Sequence, residues 1–195
     1  MRLSIIFPCS LLIILSLLVP HQCITPSEEK PVDIINKTCN TCASKASSNF
    51  SYEFCYTSLD AIPVSHATNL GGLGLIALEL ALVNATNTIS IISNILNKND
   101  SSPRCNNCLV SCLELYLDIS LRLEECIDEF VSGKKHDILY LWVSEIMQAT
   151  TICELGFKDD GKVSPLTKEN HNLSQLCGIV LCIIDLISPH LNSWF

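Results

Sequence analysis

The chain has 195 residues, with 20 Asp or Glu against 12 Lys or Arg, a formal charge of −8, 48% apolar residues and only 6% aromatic. An acidic chain without a Lys/Arg cluster is a poor partner for nucleic acid or for an anionic membrane, so neither is expected to bind it. Its 12 cysteines point away from the reducing cytosol and toward a compartment in which bridges persist.

Residues 1–23 open with Arg2, run through the apolar stretch from Leu11 to Val19 and turn polar at His21 and Gln22. This reads as a secretory signal peptide, too short and too abruptly ended for a membrane span. Its cleavage point is poorly marked, since Val19-Pro-His-Gln-Cys23 lacks a small-x-small pattern. Removing Arg2 leaves 11 − 20 = −9 for the mature chain. Residues 24–195 then fall in the size range of one domain.

After a charged lead-in from Ser27 to Lys30, helical pieces are expected from Asp33 to about Lys45 and from Tyr52 to about Ala61, with Pro63 ending the second. Cys39 and Cys55 lie symmetrically about Ser47 in a polar turn, which predicts a small stapled hairpin. A long helix then reaches Asn97, with Leu73, Ile76, Leu80, Val83, Asn87, Ile91 and Asn94 at heptad-like spacing and apolar residues nearly all round, which predicts deep burial. Ser102-Pro103 supplies a cap and a proline for a helix from Pro103 to Ser132. A tight turn near Gly133 to His136 folds it back onto a helix from Asp137 to Gly156.

Cys112 lies 22 residues before Lys134 and Cys153 19 after it. At a rise of ~1.5 Å per residue the two thiols come level across that hairpin, which predicts a second bridge. The expected seams are Cys108, Cys112, Leu115, Ile119, Leu123, Cys126 and Phe130 on one helix, and Leu139, Trp142, Ile146, Ala149 and Cys153 on the other. Ser164-Pro165 repeats the cap and proline signal before a last helix carrying Leu173, Leu176, Val180, Ile183 and Ile187, stopped by Pro189. Asp185 inside its short apolar run favours a buried helix over a membrane or lipid-anchor tail. Short connections join only antiparallel neighbours, so the fold class is all-α: an up-down-up-down four-helix bundle preceded by a disulfide-stapled helical hairpin.

The candidate chemistries are weak beside this architecture. Gly72-x-Gly74-x-x-Ala77 matches a dinucleotide fingerprint in letters but lacks the strand and βαβ unit that give it meaning, and close helix packing explains the small residues better. Cys39-x-x-Cys42 and Cys105-x-x-Cys108 could offer four thiolates to zinc, yet in a secreted chain such thiols tend to oxidise. Whether Cys42, Cys105 and Cys108 form further bridges is left open by the sequence, while Cys177 and Cys182 read as buried small apolar residues. His66, His136, His171 and His190 are scattered, with no nucleophile or paired carboxylate at a recurrent spacing. Glu124, Glu125, Asp128 and Glu129 read as a solvated helix face. No catalytic residue, metal site or cofactor is expected. Sequons at Asn36, Asn49, Asn84, Asn99 and Asn172 suit a secretory route, with Asn84, inside an apolar helix, the least suited to carry a glycan.

Five pieces resemble one family: Cys39 with Cys55; Asp60 to Leu70 running into Gly72-Leu-Gly; Cys112-Leu-Glu-Leu-Tyr116; Ala149-Thr-Thr-Ile-Cys153-Glu-Leu-Gly-Phe157; and Ser164-Pro-Leu-Thr-Lys-Glu-Asn170. They are similar to the plant invertase and pectin methylesterase inhibitors, above all to the branch named for invertase that includes tree-pollen allergens. The resemblance implies the same bundle, bridges Cys39–Cys55 and Cys112–Cys153, and a monomeric inhibitor of a secreted plant carbohydrate-active enzyme. Acid invertase of the cell wall or vacuole ranks first and pectin methylesterase second. The implied location is the apoplast or cell wall, with the vacuole as the other compartment. The cysteines at 42, 105, 108, 126, 177 and 182 depart from the four-cysteine pattern.

A helical cytokine would need long crossover connections that this chain lacks, and a lipid-transfer protein would show an adjacent Cys-Cys pair. A secreted helical binder or lipid carrier without inhibitory activity is the remaining class. The family's invertase inhibitors place a Pro-Lys-Phe motif near one end of the bundle. That tripeptide is absent here; Phe157-Lys158, at the start of a polar connection running to Ser164, offers similar groups in reversed order. The resemblance assigns no target-binding residue.

Overall fold

The computed structural model describes residues 33–45, 48–98, 103–133, 136–159 and 161–189, all within one compact unit. The expected signal peptide, Asn99, Ser102 and His190 lie outside them. Two short helices, α1 (Ile34–Ala43) and α2 (Tyr52–Asp60), lead through a 3-10 turn (Pro63–Ala67) into α3 (Leu70–Asn97), α4 (Pro103–Ser132), α5 (His136–Asp159) and α6 (Thr167–Ile187). The starts are set locally. Asp33 Oδ1 accepts from the amides of Ile35 and Asn36, Ser51 Oγ from Phe54, and Asn69 Oδ1 from Gly72, each satisfying first-turn N–H groups that have no partner inside the helix.

The four long helices form the expected square, α3 packing on α4 and α6, and α5 on the same two. Cys39–Cys55 and Cys112–Cys153 are bonded as the register arithmetic predicts, with Cα–Cα separations of 5.6 and 5.2 Å. A third bridge, Cys42–Cys182, corrects the reading of Cys182 as a buried apolar residue. It ties the α1–α2 hairpin to α6, beside a Lys45–Asp185 ion pair of 3.3 Å and hydrogen bonds from Asn49 Nδ2 to Ser174 O (2.9 Å) and Oγ (3.0 Å). Gly178 makes room for this docking, because a Cβ there would collide with Asn49 and Phe50. Cys177 and Cys126 are buried thiols.

The seams follow stricter heptads than the sequence reading chose. On α4 the buried residues are Leu109, Cys112, Tyr116, Ile119, Leu123 and Cys126, so Cys108, Leu115 and Phe130 move to the seam's edge. On α5 they are Leu139, Val143, Ile146, Thr150, Cys153 and Phe157, which leaves Trp142 and Ala149 half-buried. The two sets repeat as a and d positions over successive turns. On α3 the buried stripe runs through Gly74, Leu78, Ala81, Ala85, Thr88 and Ile92, whereas Asn87 and Asn94 face solvent and Val83 is 54% exposed. Small residues win there because they let neighbours approach: a Cβ on Gly74 would meet Phe130 and Ile183. The last helix is buried on nearly all sides from Leu173 to Ile184, as a core helix rather than a membrane segment.

Candidate functional site

Three features meet at the end of the bundle where α5 passes into α6. The first is the helix terminus itself. Phe157 continues the α5 heptad two turns beyond Thr150, so the helix runs through Gly156 to Asp159 instead of stopping there. It closes in a Schellman pattern: Lys162 N donates to Phe157 O (3.0 Å) and Gly161 N to Lys158 O (2.9 Å), with Gly161 at φ +68°. Glycine takes this left-handed conformation at little cost. Phe157 is 0% exposed. It therefore belongs to the core, and its pairing with Lys158 as a reversed contact motif does not hold.

The second feature is a polar chain that pins the far side of the same connection. Ser164 Oγ accepts from Leu166 N (3.1 Å), and Leu166 is fully buried. The Thr167 hydroxyl donates to Glu154 Oε1 (2.6 Å), Asn170 Nδ2 to Glu154 Oε2 (2.7 Å), and the Tyr116 hydroxyl to Asn170 Oδ1 (2.7 Å). Burial pushes the Tyr116 phenol well above its ordinary range, so it stays a neutral donor. Three helices are thereby joined one turn from the Cys112–Cys153 bridge. Sequence reasoning quoted Glu154 and Asn170 only as letters of a motif and missed that they are partners. Their spacing supplied no signal, because the bond is made between two helices.

The third feature is an open groove of about 610 Å³ between α4 and α5, floored by the bridge and lined by Asn107, Cys108, Ser111, Leu115, Ile152 and Gly156. Among the described residues no charged side chain lines it. Farther down the same helices, from Leu115 onward, a second groove of about 360 Å³ is lined by Asp118, Leu121, Arg122, Glu125, Glu145 and Ala149. There Arg122 pairs with Glu125 at 2.6 Å and lies 5.0 Å from the Trp142 ring centroid. Glu124, Glu125 and Asp128 are exposed and Glu129 half-exposed, a solvated face as expected.

The remaining candidates are dispersed. Cys39 and Cys42 are both consumed in bridges, which removes two of the four thiolates a zinc site would need; no cluster of three metal-ligating side chains occurs among the described residues. Gly72 and Gly74 lie within α3, with no strand before it among the described residues. His66 meets Asp60 at 3.4 Å, and His136 Nδ1 meets the Ser188 hydroxyl at 2.7 Å, tying the start of α5 to the end of α6. His171 is exposed beside Glu154 and Thr167. Among the sequons Asn36 is exposed, Asn49 holds Ser174, Asn172 is half-buried, and Asn84 buries its side-chain oxygen without a hydrogen-bond partner.

The family model described as plant invertase/pectin methylesterase inhibitor matches residues 33–183. A protein of Platanus acerifolia named "Putative invertase inhibitor" is 37% identical over 156 residues, covering 80% of this chain and 86% of the relative. One of the same name from Platanus orientalis is 36% identical over 156 residues, covering 80% and 90%. A "Pectinesterase inhibitor" of Actinidia deliciosa is 25% identical over 185 residues, covering 92% and 95%. Among solved structures, a mutant form of a pectin methylesterase inhibitor from Arabidopsis superposes with a TM-score of 0.65 at 22% identity, over 77% of this chain and 96% of that one. A second, from Arabidopsis thaliana, gives 0.57 at the same identity, over 77% and 95%. At that identity the likeness carries the fold alone.

Proposed function

Because the chain belongs to the plant invertase/pectin methylesterase inhibitor family, whose members block enzymes rather than act as enzymes, we propose that its own target is an acid invertase and that it meets this target outside the cell. The observation that carries the choice of target is the contrast in identity: 37% and 36% to the two relatives named for invertase, against 25% to the one named for pectinesterase. Inhibition then means stoichiometric occlusion by a rigid surface. Three bridges and a packed bundle hold that surface in shape before the encounter, so little ordering is lost on binding. The bridges and the apolar leader at 1–23 support a secretory route, since both belong to an oxidising pathway. Asn36 is the described sequon best placed to carry a glycan, standing on an exposed face of α1.

Pectin methylesterase is the second reading, supported by the 25% identity over 185 residues to the relative named for pectinesterase. Titrating oxidised recombinant protein against both enzymes separates the two. The invertase reading expects activity to fall linearly to an equivalence point with invertase and to stay constant with the esterase. The reverse pattern moves the target to the esterase, and no loss in either titration ends the inhibitor reading.

A further inference from the structure

Three cysteines follow one another by a turn along the start of α4: Cys105, Cys108 and Cys112, at i, i+3 and i+7 on the side that packs against the core. The first two carry thiols, and the third is bonded to Cys153 on α5. The other bridges have no such neighbours, since no cysteine carrying a thiol lies within four residues of Cys39, Cys42, Cys55 or Cys182. Bridge and thiols also differ in access. Cys112 and Cys153 are each only 2% exposed, which screens their bond from a dissolved thiol, whereas Cys105 and Cys108 are half-buried at the end of the bundle.

Cys108 approaches the bridge from within the protein. Its thiol donates to Gly156 O at 3.5 Å, one turn beyond Cys153, and Cys108, Cys112 and Cys153 line one groove. On an α-helix, Cα atoms three residues apart are about 5 Å from each other and those four apart about 6 Å. Both separations fall in the range that a disulfide spans. A Cys105–Cys108 bond and a transient Cys108–Cys112 bond are therefore within reach on α4, while Cys39–Cys55 and Cys42–Cys182 hold the hairpin in either case.

We propose that Cys105-x-x-Cys108 is a thiol relay through which dissolved thiols and disulfides reach the buried Cys112–Cys153 bridge. The Cys108 thiolate attacks Cys112 Sγ: a Cys108–Cys112 bond forms, the Cys112–Cys153 bond breaks, and the electron pair leaves on Cys153, which takes up a proton. The Cys105 thiolate then attacks Cys108 Sγ, forming Cys105–Cys108 and releasing Cys112, which is protonated in turn. The two protons taken up are those given off by Cys108 and Cys105, so the exchange needs no outside oxidant or reductant. The new bond lies in the half-buried pair, where two molecules of a dissolved thiol such as glutathione reduce it and leave as their own disulfide. The reverse sequence restores the staple. Packing holds Cys112 and Cys153 at a Cα–Cα separation of 5.2 Å, which favours their bond at rest, and the α4–α5 staple opens as the surroundings become reducing.

Trypsin leaves the three α4 cysteines in one peptide, residues 105–122, and Cys153 in another, residues 136–158. Non-reducing peptide mapping after acid quenching and alkylation therefore reads the exchange directly. The full chain is held at pH 8 in glutathione buffers of rising reduced-to-oxidised ratio, beside Cys108→Ser and Cys105→Ser, with thermal midpoints taken on each oxidised protein. The proposal expects the two peptides to separate at least about tenfold faster in the unmodified chain than in Cys108→Ser, because the attacking thiol is already in place. A closed Cys105–Cys108 loop should appear within residues 105–122, with Cys39–Cys55 and Cys42–Cys182 intact, and Cys105→Ser should accumulate the Cys108–Cys112 intermediate. Equal rates in the unmodified chain and Cys108→Ser, or opening of all three bridges together, overturn the proposal. So does the absence of both the Cys105–Cys108 loop in the unmodified chain and the intermediate in Cys105→Ser, a readout that depends on neither the stability of Cys108→Ser nor the choice of target enzyme.

Discussion

The upper and lower halves of the α4–α5 face are built from the same two helices and share Leu115, yet they differ in kind. The lower half carries Asp118, Glu125 and Glu145, and the one cation among its described lining residues, Arg122, is spent on Glu125 and the Trp142 ring. The upper half has no charged lining residue among those described and is braced by a disulfide and by the chain from Tyr116 through Asn170 to Glu154. Covering charged groups with a partner costs free energy unless each finds a new mate, and ordering a loose segment costs more. A neutral, rigid surface avoids both. The lower half therefore suits a helix face left in water, and the upper half is a face held firmly in shape.

The bridges should separate the two regions most strongly. Replacing Cys42 and Cys182 by serine opens a loop of 140 residues, which in the chain-entropy model removes up to about 5 kcal/mol. The bridge lies far from the α5–α6 connection, so amide exchange there should hold wherever the variant is folded. Replacing Cys112 and Cys153 opens a loop of 41 residues, worth about 4 kcal/mol, and should speed exchange at that connection as well, because the groove loses its floor. Urea midpoints and hydrogen exchange on both variants read the difference; equal exchange at the connection would erase the distinction between the regions.

Phe157→Ala should then cost about 3–5 kcal/mol by emptying a fully buried site beneath the α5–α6 connection, so that any loss of inhibition appears together with a lowered thermal midpoint. Loss of inhibition at full stability would instead return Phe157 to the contact surface. Tyr116→Phe should cost about 1–3 kcal/mol, since the Asn170 oxygen is left buried without its donor, and amides of residues 166–170 should exchange faster.

Beneath the lower half, burial pushes the Cys126 thiol up to about 12 and raises Cys177 as well. A thiol whose folded pKa lies above its unfolded one contributes stability that is complete below about pH 9 and is lost as pH rises toward the folded value. Alkaline titration should therefore lower stability across that window, and neither thiol should react with iodoacetamide at pH 8 until the chain is unfolded. Smallest of all, Glu124→Lys with Glu125→Lys should cost about 1 kcal/mol or less, most of it from losing the exposed Arg122–Glu125 pair. It should also leave inhibition of invertase unaltered; a large loss would place the interface on the lower half.

Much of the framework is legible in the sequence because it follows from helical rise and short connections: Cys112 and Cys153 come level from counting alone, and Pro103 marks the helix start that the structure shows. The faces were harder. On α3 apolar residues lie on every side, so periodicity could not choose between Val83 and Ala81, and the decision fell to how closely α4 and α6 approach. Phe157 was misplaced because Gly156 reads as a stop, although spacing by sevens from Val143 through Thr150 carries the core past it. Cys42–Cys182 joins positions 140 residues apart, and only the docking of the hairpin on α6 brings them together. The exposure of Val163 was beyond any local pattern, since Lys162-Val163-Ser164 looks the same whether the valine turns in or out.

Hydrogen exchange of the inhibitor alone and in an equimolar mixture with acid invertase tests most directly whether the chain occludes that enzyme with a surface already in shape. Slowed exchange should appear at surface amides of the packed helices and their connections. Exchange at all of those amides as in the free protein would contradict it.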